Sequence, residues 1–339
     1  MEDSTYMNFS EIYTNFYDGF IEPCNKEDVS KFATLLTTIL NSFLFIFSII
    51  GNSLVLWVLI AYENFVSLTN VFIFNLSIAD LILTLCLPFF IVYHREGWVF
   101  GPVACKTFNA LFSVGFYSGI IFLTFMTYHR YLAVVDPLSA LKTRRPIFGI
   151  LTSIVAWVMS ISASVPIIIF QVQFNHDDFK KCEYIDILPQ LVNNYQQNMC
   201  FLIAFSVIIV CYFNIIRTLL RSQSQRNHKP VKLILIIVFV YFVSWAPYNI
   251  VVLLHSLHQQ HIFMDCKFVK NIDYAKYVTE KLAISHCCLN PILYALVGIK
   301  FRRHLKRLIN YYCPFKYNVH QSLSRDLHYY SHNEDVSLY

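Results

Sequence analysis

FATLLTTILNSFLFIFSIIGNSLVLWVLI, residues 32–60, contains no Asp, Glu, Lys or Arg. A hydrocarbon core of ~30 Å is crossed by about 20 helical residues, so this block is long enough to span it. A helix of a soluble protein carries a polar stripe at helical spacing, because one face must meet water; here both faces are apolar. Six more blocks follow, at 68–92, 108–127, 147–170, 199–216, 233–254 and 282–299, and only Asp80 places a formal charge deep inside one. The reading is all-α, a seven-transmembrane helix bundle. Composition agrees, with 56% hydrophobic and 14% charged residues among 339 excluding an ordinary soluble domain.

Orientation follows from basic residues in short loops, which stay on the cytoplasmic side. The loop after block 3 carries Lys142, Arg144 and Arg145; that after block 5 carries Arg217, Arg221, Arg226, Lys229 and Lys232; Lys300, Arg302, Arg303, Lys306 and Arg307 follow block 7. The first thirty residues hold seven acids (Glu2, Asp3, Glu11, Asp18, Glu22, Glu27, Asp28) against Lys26. The expectation is a plasma-membrane, multi-pass protein with its N-terminus extracellular and its C-terminus cytoplasmic. It divides into an acidic outer tail (1–31), the bundle (32–299) and a cytoplasmic segment (300–339). No basic, apolar leader precedes Phe32, so block 1 is expected to direct insertion itself.

That orientation places Cys24, Cys105, Cys182 and Cys266 outside, where disulfides persist. Four cysteines allow three pairings, and counting does not choose among them. Cys105 with Cys182, and Cys24 with Cys266, would each tie a loop or tail to the bundle. Cys313, just past a basic amphipathic stretch, is a palmitoylation candidate. Asn8-Phe9-Ser10 is a glycosylation sequon on the outer side, whereas Asn75-Leu76-Ser77 lies inside block 2 and is discounted.

Inside the bundle, Asp80 is expensive unless it faces a partner or a wet cavity. Asn52 and Asn290 sit at similar depth in blocks 1 and 7, predicting an interior polar cluster, either a hydrogen-bond network or a cation site. Pro88, Pro166, Pro247 and Pro291 are expected to bend their helices, and Trp245 stands two residues before one such hinge.

GNSLV, LSIAD, the Arg130-Tyr131 pair, Trp157, SWAPYN, and NPILY followed by FRRHL occur in the order found in rhodopsin-like G-protein-coupled receptors. The resemblance covers seven helices plus a short amphipathic eighth. RYLAVV, HCCLNPILYALVGIKF and the Cys24/Cys266 pair resemble chemokine receptors in particular. LTNVFIFNLSIADL, YHRYLAVVDPLSAL and HKPVKLI are most similar to the XC branch.

The resemblance implies a lymphotactin-type chemokine as ligand, an inhibitory-type G protein and arrestin as partners, and a role in calcium release and chemotaxis. It implies that Glu280 meets the ligand amine in a cavity bordered by Phe90, Phe112 and Tyr248. Tyr6, Tyr13 and Tyr17, set among acids, resemble sulfated receptor tails. Arg130, Tyr131, Tyr212, Trp245, Pro247, Asn290, Pro291 and Tyr294 would serve activation and coupling. An alternative partner for Glu280 is Lys276, four residues earlier on the same helix. Relatives commonly place an acid before the arginine; here His129 stands there. Two further departures are Ala204, where block 5 commonly carries proline, and Gly119, where many members offer a hydroxyl to a sodium ion near Asp80, with Ser118 turned away.

Other functions fit less well. A retinal protein needs a lysine inside block 7, and 282–299 has none. No internal repeat of broken helices marks a transporter, and no HExxH, GxSxG or P-loop spacing marks an enzyme. His255, His258 and His261 lack a carboxylate or cysteine at matching spacing, so no metal site is assigned there. Nucleic acid is not an expected partner. The rival reading is a scavenging receptor that binds chemokine without G-protein coupling, or a receptor for another chemokine class.

Overall fold

The computed structural model describes residues 24–63, 65, 67–143, 146–176, 179–221, 228–260, 265–297, 301–305 and 307. Tyr6, Tyr13, Tyr17, Asn8, His261, Cys313 and the loop residues Arg144, Arg145, Arg226, Lys300 and Lys306 lie outside them. The elements are α1 (Glu27–Tyr62), α2 (Leu68–Glu96), α3 (Gly101–Val135), a short α4 (Pro137–Thr143), α5 (Pro146–Phe170), β1 (Gln171–His176), β2 (Phe179–Tyr184), α6 (Ile187–Arg221), α7 (His228–Gln259), α8 (Cys266–Ile284) and α9 (His286–Val297). Residues 301–305 and 307 are also helical.

Among the described residues, six helices are each long and apolar enough to cross a bilayer. Their polarity is inverted relative to a soluble protein. On α1, Ser48 and Asn52 are fully buried, whereas Phe47 and Ile50 are more than 60% exposed. In hydrocarbon this arrangement is favourable, because the polar groups satisfy one another inside and the apolar ones meet lipid. Helix α3 runs through the centre, with 72% of its apolar stretch buried against 22% for α5.

The seventh span corrects the sequence reading. The helix begins at Cys266, well before 282, and it breaks at Ser285 to resume as α9. Hydropathy hid its first half, because Lys267, Lys270, Asp273, Lys276, Glu280 and Lys281 interrupt it. Pro291 removes the amide that would bond the carbonyl of Cys287. That carbonyl accepts instead from Asn52 Nδ2 at 2.9 Å, so a side chain of α1 repairs the ladder of α9. Close approach makes this possible: a Cβ on Gly51 would lie 2.9 Å from Pro291 Cβ and Cγ. Gly51→Val is expected to cost ~1–3 kcal/mol by overpacking and to lower the thermal midpoint by about 2–10 °C. An unchanged midpoint in a ligand-free melt would refute this account of the α1–α9 contact.

A short β-hairpin accompanies the all-α bundle. β1 and β2 pair antiparallel with Gln173 opposite Cys182. The hairpin docks on the α2–α3 turn, where Trp98 N donates to Lys180 O at 2.7 Å. Gly97 ends α2 at φ 74°, and a Cβ there would meet Lys180 O at 2.9 Å, so both conformation and space require glycine. Disulfides join Cys105 to Cys182 and Cys24 to Cys266, each with Cα atoms 5.7 Å apart.

Candidate functional site

Both disulfides lie at one end of the bundle, and a cavity of about 620 Å³ opens between them. The Cys105–Cys182 bridge fixes β2 over the mouth, which places Glu183 and Tyr184 in the wall. The Cys24–Cys266 bridge draws the chain before α1 onto α8, so that Lys26 Nζ reaches Asp273 Oδ2 at 2.7 Å. Asp273 Oδ1 also stands 3.8 Å from His255 Nε2. A carboxylate does therefore approach this histidine from α8, but it is held by Lys26.

Glu280, Phe90, Phe112, Tyr248 and Trp245 all line this cavity. The structure thus brings together every described residue expected at the ligand site. Phe90 and Phe112 meet edge-on at 5.4 Å, and Tyr248 stands edge-on to Trp245 at 5.9 Å. Trp245 is 1% exposed and packs at 4.5 Å on Phe116 of α3, forming a floor. Lys276 also lines the cavity, but the ion pair of Glu280 is with Lys281, Nζ to Oε1 at 3.0 Å. The Lys281 side chain is 2% exposed and that of Glu280 is 23% exposed. The carboxylate therefore faces the cavity with a buried ammonium behind it. On the hairpin, burial raises the Tyr184 phenol above its ordinary value, which keeps it a neutral hydroxyl.

Below the floor lies the polar cluster. Asn290 Nδ2 donates to Asp80 Oδ2 at 2.8 Å. Asn52 reaches Asp80 only through two intermediates: its Nδ2 donates to Ser48 Oγ at 3.0 Å, Ser48 Oγ shares a 2.6 Å bond with Thr84 Oγ1, and Thr84 Oγ1 donates to the backbone carbonyl of Asp80. His286 Nε2 stands 3.3 Å from Asp80 Oδ1. The sequence reading missed His286, although its spacing of four residues before Asn290 puts both on one helical face. Asn75, discounted as a sequon, is committed inside the bundle: its Nδ2 donates to Ser153 Oγ and its Oδ1 accepts from Trp157 Nε1.

At the opposite end, Arg130 Nη2 donates to Thr69 Oγ1 of α2 at 2.7 Å. Its neighbour His129 stands edge-on to Phe72 at 6.3 Å, and Tyr131 stacks on Tyr128 at 6.0 Å. Tyr212 and Tyr294 are both buried. Pro247 and Pro291 lie inside α7 and α9, as Pro88 and Pro166 lie inside α2 and α5. A helical core thus connects a mixed-charge cavity to an arginine held by a neutral hydroxyl.

Residues 51–294 match the family described as 7 transmembrane receptor (rhodopsin family). The chain is 44% identical over 294 residues to Chemokine XC receptor 1 of Homo sapiens, covering 87% of each chain. It is 41% identical to Chemokine XC receptor 1 of Mus musculus, covering 89% of this chain and 91% of the relative. To C-C chemokine receptor type 8 of Homo sapiens the identity is 35%, over 90% and 88% respectively.

Proposed function

The chain belongs to the chemokine receptors of the rhodopsin family, and from that premise we propose that it binds a lymphotactin-type chemokine and signals through an inhibitory G protein. The observation that carries the ligand reading is Glu280, a carboxylate turned into a cavity closed by two disulfides and floored by Trp245. A chemokine's cationic N-terminus entering that cavity makes a charge-assisted hydrogen bond to Glu280 in a partly dry site. The disulfides support an extracellular cavity end, since such bridges persist in oxidising surroundings; Arg130 then faces the cytoplasm, toward G protein and arrestin. Glycosylation at Asn8, palmitoylation at Cys313, and calcium release and chemotaxis as outputs belong to the same reading.

The deciding experiment exposes cells expressing the chain to a chemokine panel and records calcium and cyclic AMP. A lymphotactin-type ligand is expected to raise calcium and lower cyclic AMP. Uptake of chemokine with neither response would establish the scavenging alternative.

The outer tail is expected to act first, through encounter rate. Acids beside Tyr6, Tyr13 and Tyr17, with sulfate on the tyrosines, attract a basic ligand over about a Debye length. Changing all three to Phe is expected to slow association several-fold at low salt and much less at high salt. Association rates unaltered at every ionic strength would remove the tail from the mechanism.

A further inference from the structure

The rhodopsin family implies a sodium ion beside Asp80, and the residues of this chain do not fit one. A hard cation needs several oxygens converging on the carboxylate. Here each carboxylate oxygen faces a nitrogen: Oδ1 faces His286 Nε2 at 3.3 Å, and Oδ2 accepts from Asn290 Nδ2 at 2.8 Å. From α3, Gly119 contributes no oxygen, and Ser118 Oγ donates to Gly115 O at 3.2 Å instead. The space beside Gly119 belongs to Tyr241, whose Cε2 and hydroxyl oxygen would each lie 3.8 Å from an added Cβ, and that hydroxyl donates to Phe116 O at 3.5 Å. Tyr241 is 1% exposed and packs edge-on to His286 at 5.0 Å. Asn52 Oδ1 and Asn290 Oδ1 are buried acceptors with no hydrogen-bond partner among the described residues, and a water is enough to satisfy such groups; neither frees the carboxylate.

The other ring nitrogen of His286 points to the cavity floor. Nδ1 lies 3.2 Å from Trp245 Nε1 and 2.5 Å from Ala283 O. If Nδ1 accepts from the indole, the proton of a neutral ring sits on Nε2. Nδ1 cannot both accept from the indole and donate to Ala283 O, and the relay is the arrangement in which it accepts from Trp245, with Nε2–H set against the carboxylate. The groups facing this ring are Asp80 of α2, Cys287 Sγ at 3.5 Å from Nε2, and the rings of Trp245 and Tyr241 of α7.

We infer that His286 fills the cation position with its own Nε2–H, forming a relay Trp245–His286–Asp80–Asn290 that couples the cavity floor to the core and is indifferent to sodium. His286 is thus a positioning residue, acting through Trp245 and Asp80. The inference deepens the receptor reading, but its main test needs neither ligand nor G protein. The full-length receptor in detergent is melted in sodium chloride and in N-methylglucamine chloride at equal ionic strength.

The wild-type midpoint is expected to be the same in both salts. In His286→Asn, which replaces a ring nitrogen with an amide oxygen, and in His286→Ala, which opens the space, sodium is expected to raise the midpoint by several degrees. It should also reduce basal nucleotide exchange several-fold. A sodium-dependent midpoint in the wild type overturns the inference. So does indifference in all three proteins. Should neither variant reach the membrane, the wild type is compared with Asp80→Asn: equal indifference sustains the inference, and a sodium response lost only in Asp80→Asn defeats it. Failure on any of these counts leaves ligand and coupling untouched.

Discussion

Arg130→Ala is expected to abolish ligand-stimulated nucleotide exchange while leaving surface level and chemokine affinity near wild type. Arg130 sits near the end of α3 away from the cavity, so its truncation touches neither the disulfides nor Glu280. The guanidinium is held by Thr69 Oγ1 at 2.7 Å, a neutral acceptor on α2. A hydrogen bond to a charged group contributes ~1.5–3 kcal/mol, enough to bias a resting state and weak enough to release when a G protein offers better acceptors. Thr69→Val is therefore expected to raise basal exchange by about tenfold or more, up to the fully active level. His129→Asp, which adds a carboxylate beside the half-buried arginine, should lower it by a few-fold or more, since an exposed pair is already worth ~0–1 kcal/mol. Normal signalling from Arg130→Ala would sink the coupling assignment and favour the scavenging receptor.

How much of this was legible beforehand differs by residue. The six continuous spans could be read because hydropathy accumulates along a chain, and Asp80 with Asn290 because buried polar groups in lipid need one another. The seventh span was misplaced because six charged side chains interrupt α8, three of which, Asp273, Lys276 and Glu280, line the cavity. Thr69 carried no signal: a threonine near the start of a span is unremarkable until α3 folds against it. His286 was in plain view within HCCLNPILY, and helical spacing alone aligns it with Asn290. The hairpin was missed for a different reason, since its two strands are only six residues each and sit between two long spans.

Glu280→Gln is expected to reduce chemokine potency by roughly 10- to 150-fold, the equivalent of a charge-assisted hydrogen bond of ~1.5–3 kcal/mol. Taken alone that result would be ambiguous, because Lys281 is almost wholly buried and its ammonium lies 3.0 Å from the carboxylate. Removing one member of a buried pair strands the other and costs ~3–5 kcal/mol, so the single variant is also expected to lose surface level and thermal stability. The double variant Glu280→Gln/Lys281→Met separates the two effects by removing the stranded cation with its partner. Stability and surface level should then recover most of the way, while potency stays low. A chemokine with its N-terminal amine acetylated supplies the second axis of the cycle. Acetylation should weaken the wild type about as much as the double variant is already weakened, and should cost the double variant nothing more. If the double variant keeps wild-type potency, the amine is held by another carboxylate of the cavity, Glu183 or Asp273, and Lys281 serves only to bury Glu280.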